Sequence, residues 1–496
     1  MSRTPIDSLR ARLEAHRARS GDRPRFRAAP EGSIPVSAPA GPRQRRGRAH
    51  RPGPLARLVD MWWTRLLASL GEGSLSDQDA EYDDGMPVRD YIWNTVGTSV
   101  WGCVFPALTV VATQLAGAEG AGMFSMAFVV GTLIMIAASY GVRTFQVSDL
   151  DETHSFASYQ VNRWITGALA LLAGVLYCNL RSYDGAMTTI CMGVFVYKAV
   201  DGIADVYEGR LQQADKLYLA GISQAVRSVA AIASFSMPLL VTRSLPVASV
   251  AMAVAAVASF VLLTAPLALL ETDKSRPAAI GEVLGLLGQC LPLAAALFLF
   301  NLIESMPKFA MEGSLAYENQ LYFNALYFPA QGILLASGFI YKPQLVRLAS
   351  IWANPRRRRT FSLVVAAMFA VVMGITVVSG VFMKLIGLKL MSFMYGMDFE
   401  RFAGLALLMV IAGGVTAGIE FLYAIVTVLR RQHEIIRLYL IAFAASAILP
   451  YPLVWLFGLT GAVVSYLAVM SLLLGLLLWR YVRMRRDIAR ALDPFA

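Results

Sequence analysis

Roughly a dozen apolar runs of about 17 to 27 residues, following one another from Tyr91 to Trp479, limit what this chain can fold into. Each is long enough to cross a hydrocarbon layer ~30 Å thick. Inside that layer no water satisfies the backbone, so each run has to be a helix that closes its own hydrogen bonds. Repeated this often, the pattern predicts an all-α, polytopic membrane protein. The composition agrees, with 57% hydrophobic and 16% charged residues and a mean hydropathy of +0.56.

Residues 1–57 differ from the rest: rich in arginine, proline and alanine, without lysine and without apolar periodicity. Such a segment cannot bury enough surface to fold, so residues 1–88 are expected to be a disordered Arg-rich tail. It has no signal-peptide core and is expected to stay uncleaved. Within it Leu55, Leu58, Val59, Trp62, Leu66 and Leu70 recur at helical spacing, which suggests an interfacial helix over 55–70. Residues 72–84 read as an acidic linker.

The spans fall near residues 91–113, 121–142, 164–180, 186–207, 217–241, 246–270, 280–303, 321–341, 361–383, 402–428, 438–457 and 461–479. One set of connecting loops carries Arg143 and Arg163, Arg210 and Lys216, Lys274 and Arg276, Lys342 to Arg359, Arg430 to Arg437, and the terminal arginines. The alternate set holds little beyond Arg181, Arg243, Lys308, Lys384, Lys389 and Arg401. This asymmetry predicts that both termini are cytoplasmic. Ala138-Ser139 before Gln146 and Ala336-Ser337 before Gln344 end the second and eighth spans alike. Two parallel six-helix lobes, 89–279 and 280–496, are therefore expected.

The charges inside these spans are the candidate functional residues. Lys198, Asp201, Asp205 and Glu208 recur every three or four residues and share one helical face. The next span carries Arg227 at a depth that matches Asp201. Intramembrane charges have to face a protein interior, a partner or trapped water. Two readings stand: a buried Arg227–Asp201 pair that holds the hairpin, or cations lining a polar cavity while Asp201 or Asp205 carries a coupling proton. Glu420, alone in the tenth span, is either a hydrogen-bonded structural acid or a further coupling acid. Asn301, Glu304 and Lys308, toward the end of the seventh span, are candidates for an outer gate. Pro106, Pro292, Pro329 and Pro450 within spans would permit bending.

The segment Gly141-Val-Arg143-Thr-Phe-Gln146-Val-Ser148-Asp149, and the turn Glu208-Gly-Arg210-Leu-Gln212-Gln213 after the fourth span, carry a resemblance. Together with the six-plus-six arrangement they resemble prokaryotic polysaccharide flippases of the O-antigen and capsule type. These belong to the multidrug, oligosaccharidyl-lipid and polysaccharide exporter superfamily. The Arg-rich tail departs from that pattern. The resemblance implies alternating-access movement of undecaprenyl-diphosphate-linked oligosaccharide from the inner to the outer leaflet, for cell-surface polysaccharide or lipopolysaccharide biosynthesis. It implies a bacterial cytoplasmic membrane location, with lipid-linked oligosaccharide, membrane lipids and other polysaccharide-assembly proteins as partners. On this reading Arg143, Lys198, Arg227 and Lys342 are the cavity cations, suited to a diphosphate.

The alternative is an ion-coupled multidrug or cation antiporter of the same superfamily, which would favour an acidic, aromatic-lined cavity. No Walker loop, nucleophile elbow or HExxH occurs, so an enzyme is not expected. The outer loops are too short for a membrane glycosyltransferase or ligase. Four scattered cysteines and four histidines lack ligand spacing, so no metal or other cofactor is expected. The +11 net charge suits anionic lipid headgroups and gives no sign of nucleic-acid binding.

Overall fold

A computed structural model describes residues 75–149, 152–341, 348, 358–428 and 435–492. The Arg-rich tail, the 55–70 amphipathic segment and Lys342 lie outside the described residues. Every regular element among the described residues is helical; beyond these there is one isolated bridge between Glu312 and Leu315.

The first helix, α1 (Leu75–Ser139), breaks at Gly117 (φ 79°, ψ 173°), a conformation open to glycine and strained for other residues. It therefore has two legs that cross in opposite senses. Its start lies within the stretch read as an acidic linker. Then follow α2 (Val142–Ser148), α3 (Phe156–Leu180), α4 (Gly185–Gln213) and α5 (Leu217–Thr242). Next, α6 (Leu245–Ser259) passes through a π-turn (Phe260–Thr264) into α7 (Ala265–Leu270). The second half comprises α8 (Ile280–Met311), α9 (Glu318–Tyr341), α10 (Arg358–Phe382) and, after a π-turn at Met383–Gly387, α11 (Leu388–Tyr395). It ends with α12 (Ala403–Val428), α13 (Ile435–Ile448) and α14 (Pro450–Leu492), which breaks at Gly458.

Among the described residues, ten helical segments are long and apolar enough to cross a membrane. The first contains both legs of α1, and the shorter α13 continues through Pro450 as far as the Gly458 break. Counting each of these as a further crossing gives about twelve transmembrane helices. They form two six-helix lobes. The legs of α1 pack on α3, α4 and α5, and α6 packs on α4 and α5. In the second lobe α12 packs on α9, α10 and α14, while α8 packs on α13 and α14. The lobes meet where α1 touches α8 and α9, and where α3 touches α8. Helices exposed on their outer faces carry large apolar side chains such as Leu172, Val241, Met373 and Trp455, as a lipid-facing surface requires.

Candidate functional site

The spacing along α4 brings its charges to one side, and α5 meets them there. Asp184 caps α4 by accepting the Met187 amide (2.8 Å). Arg227 of α5 donates through Nε to Asp201 (2.8 Å) and pairs through Nη2 with Glu208 (2.9 Å). Its Nη1 reaches the Thr264 hydroxyl (3.3 Å), which is bonded in turn to Ser223 (2.8 Å). Thr264, buried, closes the π-turn before α7, an irregularity frequent at functional sites. Asp201 also accepts from the Trp101 indole on α1 (3.0 Å). Lys198 lies 3.7 Å from Asp201, with its ammonium over the rings of Phe128 (4.4 Å), Trp101 and Tyr197. All of Lys198, Asp201, Glu208 and Arg227 are buried.

A second group adjoins it. Asp205 is held from two sides, by Arg143 at the start of α2 (2.9 Å) and by Arg163 of α3 (2.6 Å). Arg143 also donates to Gln212 (3.1 Å), and Arg163 to the Ala138 carbonyl (3.3 Å). Arg163 was expected in a loop. The helix instead begins at Phe156, capped by Ser155, whose hydroxyl accepts the Ser158 amide. That serine pattern was the sequence signal that would have placed Arg163 inside the span.

The two segments that carry the family resemblance lie against one another. Gln146 donates to the Val206 carbonyl (2.9 Å), and Gln213 donates to the carbonyls of Gln146 (2.6 Å) and Asp149 (3.1 Å). Gly141 adopts a left-handed conformation (φ 63°) between α1 and α2, which is why the chain can turn there. Asp149 closes the segment as a turn anchor, accepting from Thr153, His154 and Tyr159. Burial opposes its ionisation, but these hydrogen bonds prevail and hold its carboxyl below the usual range.

In the second lobe α8 runs on to Met311, so Asn301, Glu304 and Lys308 sit within the helix. Glu304 accepts from the hydroxyls of Tyr327 and Tyr466 (both 3.1 Å), and Tyr466 contacts Thr416. Lys308 is buried against the rings of Tyr327 and Phe323. Asn301 bonds back to the Leu297 carbonyl. Glu420 accepts from Tyr341 (3.4 Å). These residues and the α4–α5 cluster belong to different lobes.

A junction the sequence did not reveal lies between the lobes. Glu312, just past α8, receives Arg181 (2.8 Å), Tyr177 (2.9 Å) and Tyr183, all from the end of α3 and the turn after it. On the same end of the bundle, the end marked by Gly117, Thr109 meets Tyr395 (3.2 Å) and Gln114 donates to the Met394 carbonyl (2.8 Å). Below Glu312 run two adjoining cavities of about 470 and 340 Å³ between α1, α3 and α8. They share Ala137, Ala170, Ala173 and Phe298 and extend along α8 from Leu291 to Glu312 just past its end, roughly 30 Å at about 1.5 Å per residue. Among the described residues no group of three or more His, Cys, Asp or Glu is placed to hold a metal ion.

No protein-family model matches the chain, and comparison with curated proteins gives no match. Solved structures do match. An inward-facing multidrug-resistance MATE family transporter of the MOP superfamily aligns with a TM-score of 0.56 at 10% identity, over 79% of this chain and 98% of that one. An outward-facing MATE transporter of the same superfamily aligns at 0.56 and 13% identity, over 83% and 97%. A MOP superfamily transporter from Pyrococcus furiosus Vc1 aligns at 0.55 and 13%, over 81% and 95%. That protein is described as having a binding pocket of reverse polarity that suggests a different function. The chain has the fold of MOP superfamily transporters.

Proposed function

We propose that the chain is an alternating-access membrane transporter whose cargo is an amphiphile with a phosphate-bearing head. Within that class we propose a lipid-linked oligosaccharide, moved between leaflets for cell-surface polysaccharide assembly in a bacterial plasma membrane with both termini cytoplasmic. The observation that carries this reading is the charge of the first lobe's cluster. Arg143, Arg163, Lys198 and Arg227 face three carboxylates, Asp201, Asp205 and Glu208. A net cationic cluster favours an anionic head over a cationic drug. The apolar groove along α8 supports it further, because a long hydrocarbon tail needs such a path. The touching motif segments, shared by resemblance with polysaccharide flippases, support it again.

One observation favours a second reading, an ion-coupled multidrug antiporter. Glu304 and Glu420 sit among tyrosines in the second lobe, and two of the similar structures are described as multidrug-resistance transporters. The readings part in one preparation of proteoliposomes. Flippase activity would appear as lectin access to a polyprenyl-diphosphate-linked oligosaccharide, lost in Arg143→Gln. Antiporter activity would appear as dye movement driven by a sodium or proton gradient and lost in Glu304→Gln. Gradient-driven dye movement with no movement of lipid-linked sugar would overturn the first reading.

A further inference from the structure

The excess positive charge of the first lobe can be located. Arg227 and Lys198 are balanced by Asp201 and Glu208, which Arg227 contacts at 2.8 and 2.9 Å. That leaves Arg143 and Arg163 with one carboxylate, Asp205, whose two oxygens are divided between them at 2.9 and 2.6 Å. Glu208 lies a further 3.8 Å from Arg143, at the edge of direct contact.

The hydrogen-bond inventory of this group is incomplete at Arg163 and also at Glu208 Oε1. Arg163 is fully buried, its Nη1 bonded to the Ala138 carbonyl and its Nη2 to Asp205. Its Nε has no partner. Buried donors are rarely left unmet, and a carboxylate with both oxygens engaged has no convenient acceptor left for it. The group also has an opening. The side chains of Arg143 and Asp205 are 30% and 26% exposed, whereas Arg163 behind them is closed off. A ligand arriving from the exposed side meets Arg143 and Asp205 before Arg163.

We propose that Arg143 and Arg163 form a phosphate clamp that Asp205 occupies in the resting protein, so that a phosphate group enters by displacing an internal carboxylate. Two guanidiniums on different helices bracket the anion, and their planar forks match phosphate as well as carboxylate. A phosphate offers at least one more acceptor oxygen than Asp205, and that oxygen can serve the unmet Nε of Arg163. Once displaced, Asp205 swings toward the exposed side, where water solvates it. Its competition keeps the site from holding phosphate too tightly to release it, as a carrier requires. Asp205 thereby acts as a built-in stand-in for the ligand. A purely structural pin between α2, α3 and α4 would need neither the second arginine nor the open side.

The clamp stands on its own geometry; that its phosphate belongs to a transported lipid rests on the function proposed above. The test uses the purified full-length protein in detergent, with inorganic pyrophosphate as probe and thermal protection or calorimetry as readout. Removing the internal competitor in Asp205→Asn should tighten pyrophosphate binding roughly fivefold to tenfold, as expected for a charge-assisted contact freed of its rival. Adding Arg163→Gln should abolish the gain. Should Asp205→Asn fail to fold, Arg163→Lys in the otherwise native protein replaces it: this point charge should weaken pyrophosphate protection. Two competitors identify the source of the phosphate. Displacement of pyrophosphate by polyprenyl diphosphate assigns the clamp to the cargo, and displacement by phosphatidylglycerol assigns it to bilayer headgroups. Unchanged pyrophosphate binding in Asp205→Asn, or in Arg163→Lys, would overturn the clamp. Tightened pyrophosphate binding in a protein that flips no lipid-linked sugar would count against the proposed cargo and leave the clamp standing.

Discussion

Arg227 is the residue whose loss strands the most charge. It engages Asp201, Glu208 and Thr264 from inside α5, so Arg227→Gln leaves two buried carboxylates to share Lys198, one negative charge in excess. Breaking a buried pair in this way costs about 3–5 kcal/mol, while neutralising all members together costs far less. We therefore expect Arg227→Gln to melt well below the native protein in detergent, and Arg227→Gln with Glu208→Gln, which leaves the Lys198–Asp201 pair balanced, to recover most of the difference. A double variant no more stable than the single one would show that the loss comes from packing of the guanidinium and not from stranded charge. Part of this was legible in the sequence. Helical rise alone placed Arg227 and Asp201 at one depth, and they touch. Thr264 was not legible, because it depends on a π-turn that no periodicity announces. Trp101 was not legible either, since it arrives from a helix a hundred residues earlier.

At the scale of elements, α1 and α5 pack backbone to backbone through Gly97 and Gly221. A Cβ on Gly221 would lie 2.3 Å from the Trp93 carbonyl oxygen, and one on Gly97 would lie 2.4 Å from the Gly221 carbonyl oxygen. Small residues at such crossings are how membrane helices gain close packing. Replacing Gly221 by valine must push the helices apart, with an expected loss of about 1–3 kcal/mol. Gly185→Ala, where a Cβ meets nothing within 4 Å, serves as the control. Melting temperatures in detergent compare the two; equal values would mean that α5 can shift without cost. Most helices were readable from their apolar length, yet their ends were not. α3 starts at Phe156, after its cap Ser155, and α4 runs on to Gln213, because polar residues at those ends are satisfied by caps and by one another. That satisfaction is tertiary, and hydropathy does not record it.

For the whole molecule, the two-lobe plan could be read from the count of apolar runs together with the echoed ends of the second and eighth, whereas the contacts that join the lobes could not. Glu312 and Arg181 are separated by 131 residues, and nothing local marks them as partners. Their position makes a definite claim about motion. At the Gly117 end, among the described residues, the lobes are tied by Glu312 with Arg181, Tyr177 and Tyr183, by Thr109 with Tyr395, and by Gln114 with the Met394 carbonyl. If the protein works by alternating access, this end has to part in each cycle, because a carrier closed at one end cannot discharge there. The ties are few and polar, and Arg181 is partly exposed, so water can replace each of them as they break. Cysteines at positions 181 and 312 would replace two long side chains, leaving a gap wider than a disulfide reaches, so a short bis-thiol reagent is the suitable bridge. The expected outcome is transport that survives in Arg181→Cys/Glu312→Cys before bridging and stops after it. Each single cysteine variant treated with the same reagent should keep working, which separates locking from chemical damage. Full transport by the bridged protein would mean that the Gly117 end stays closed throughout, and that cargo leaves along the groove beside α8 instead.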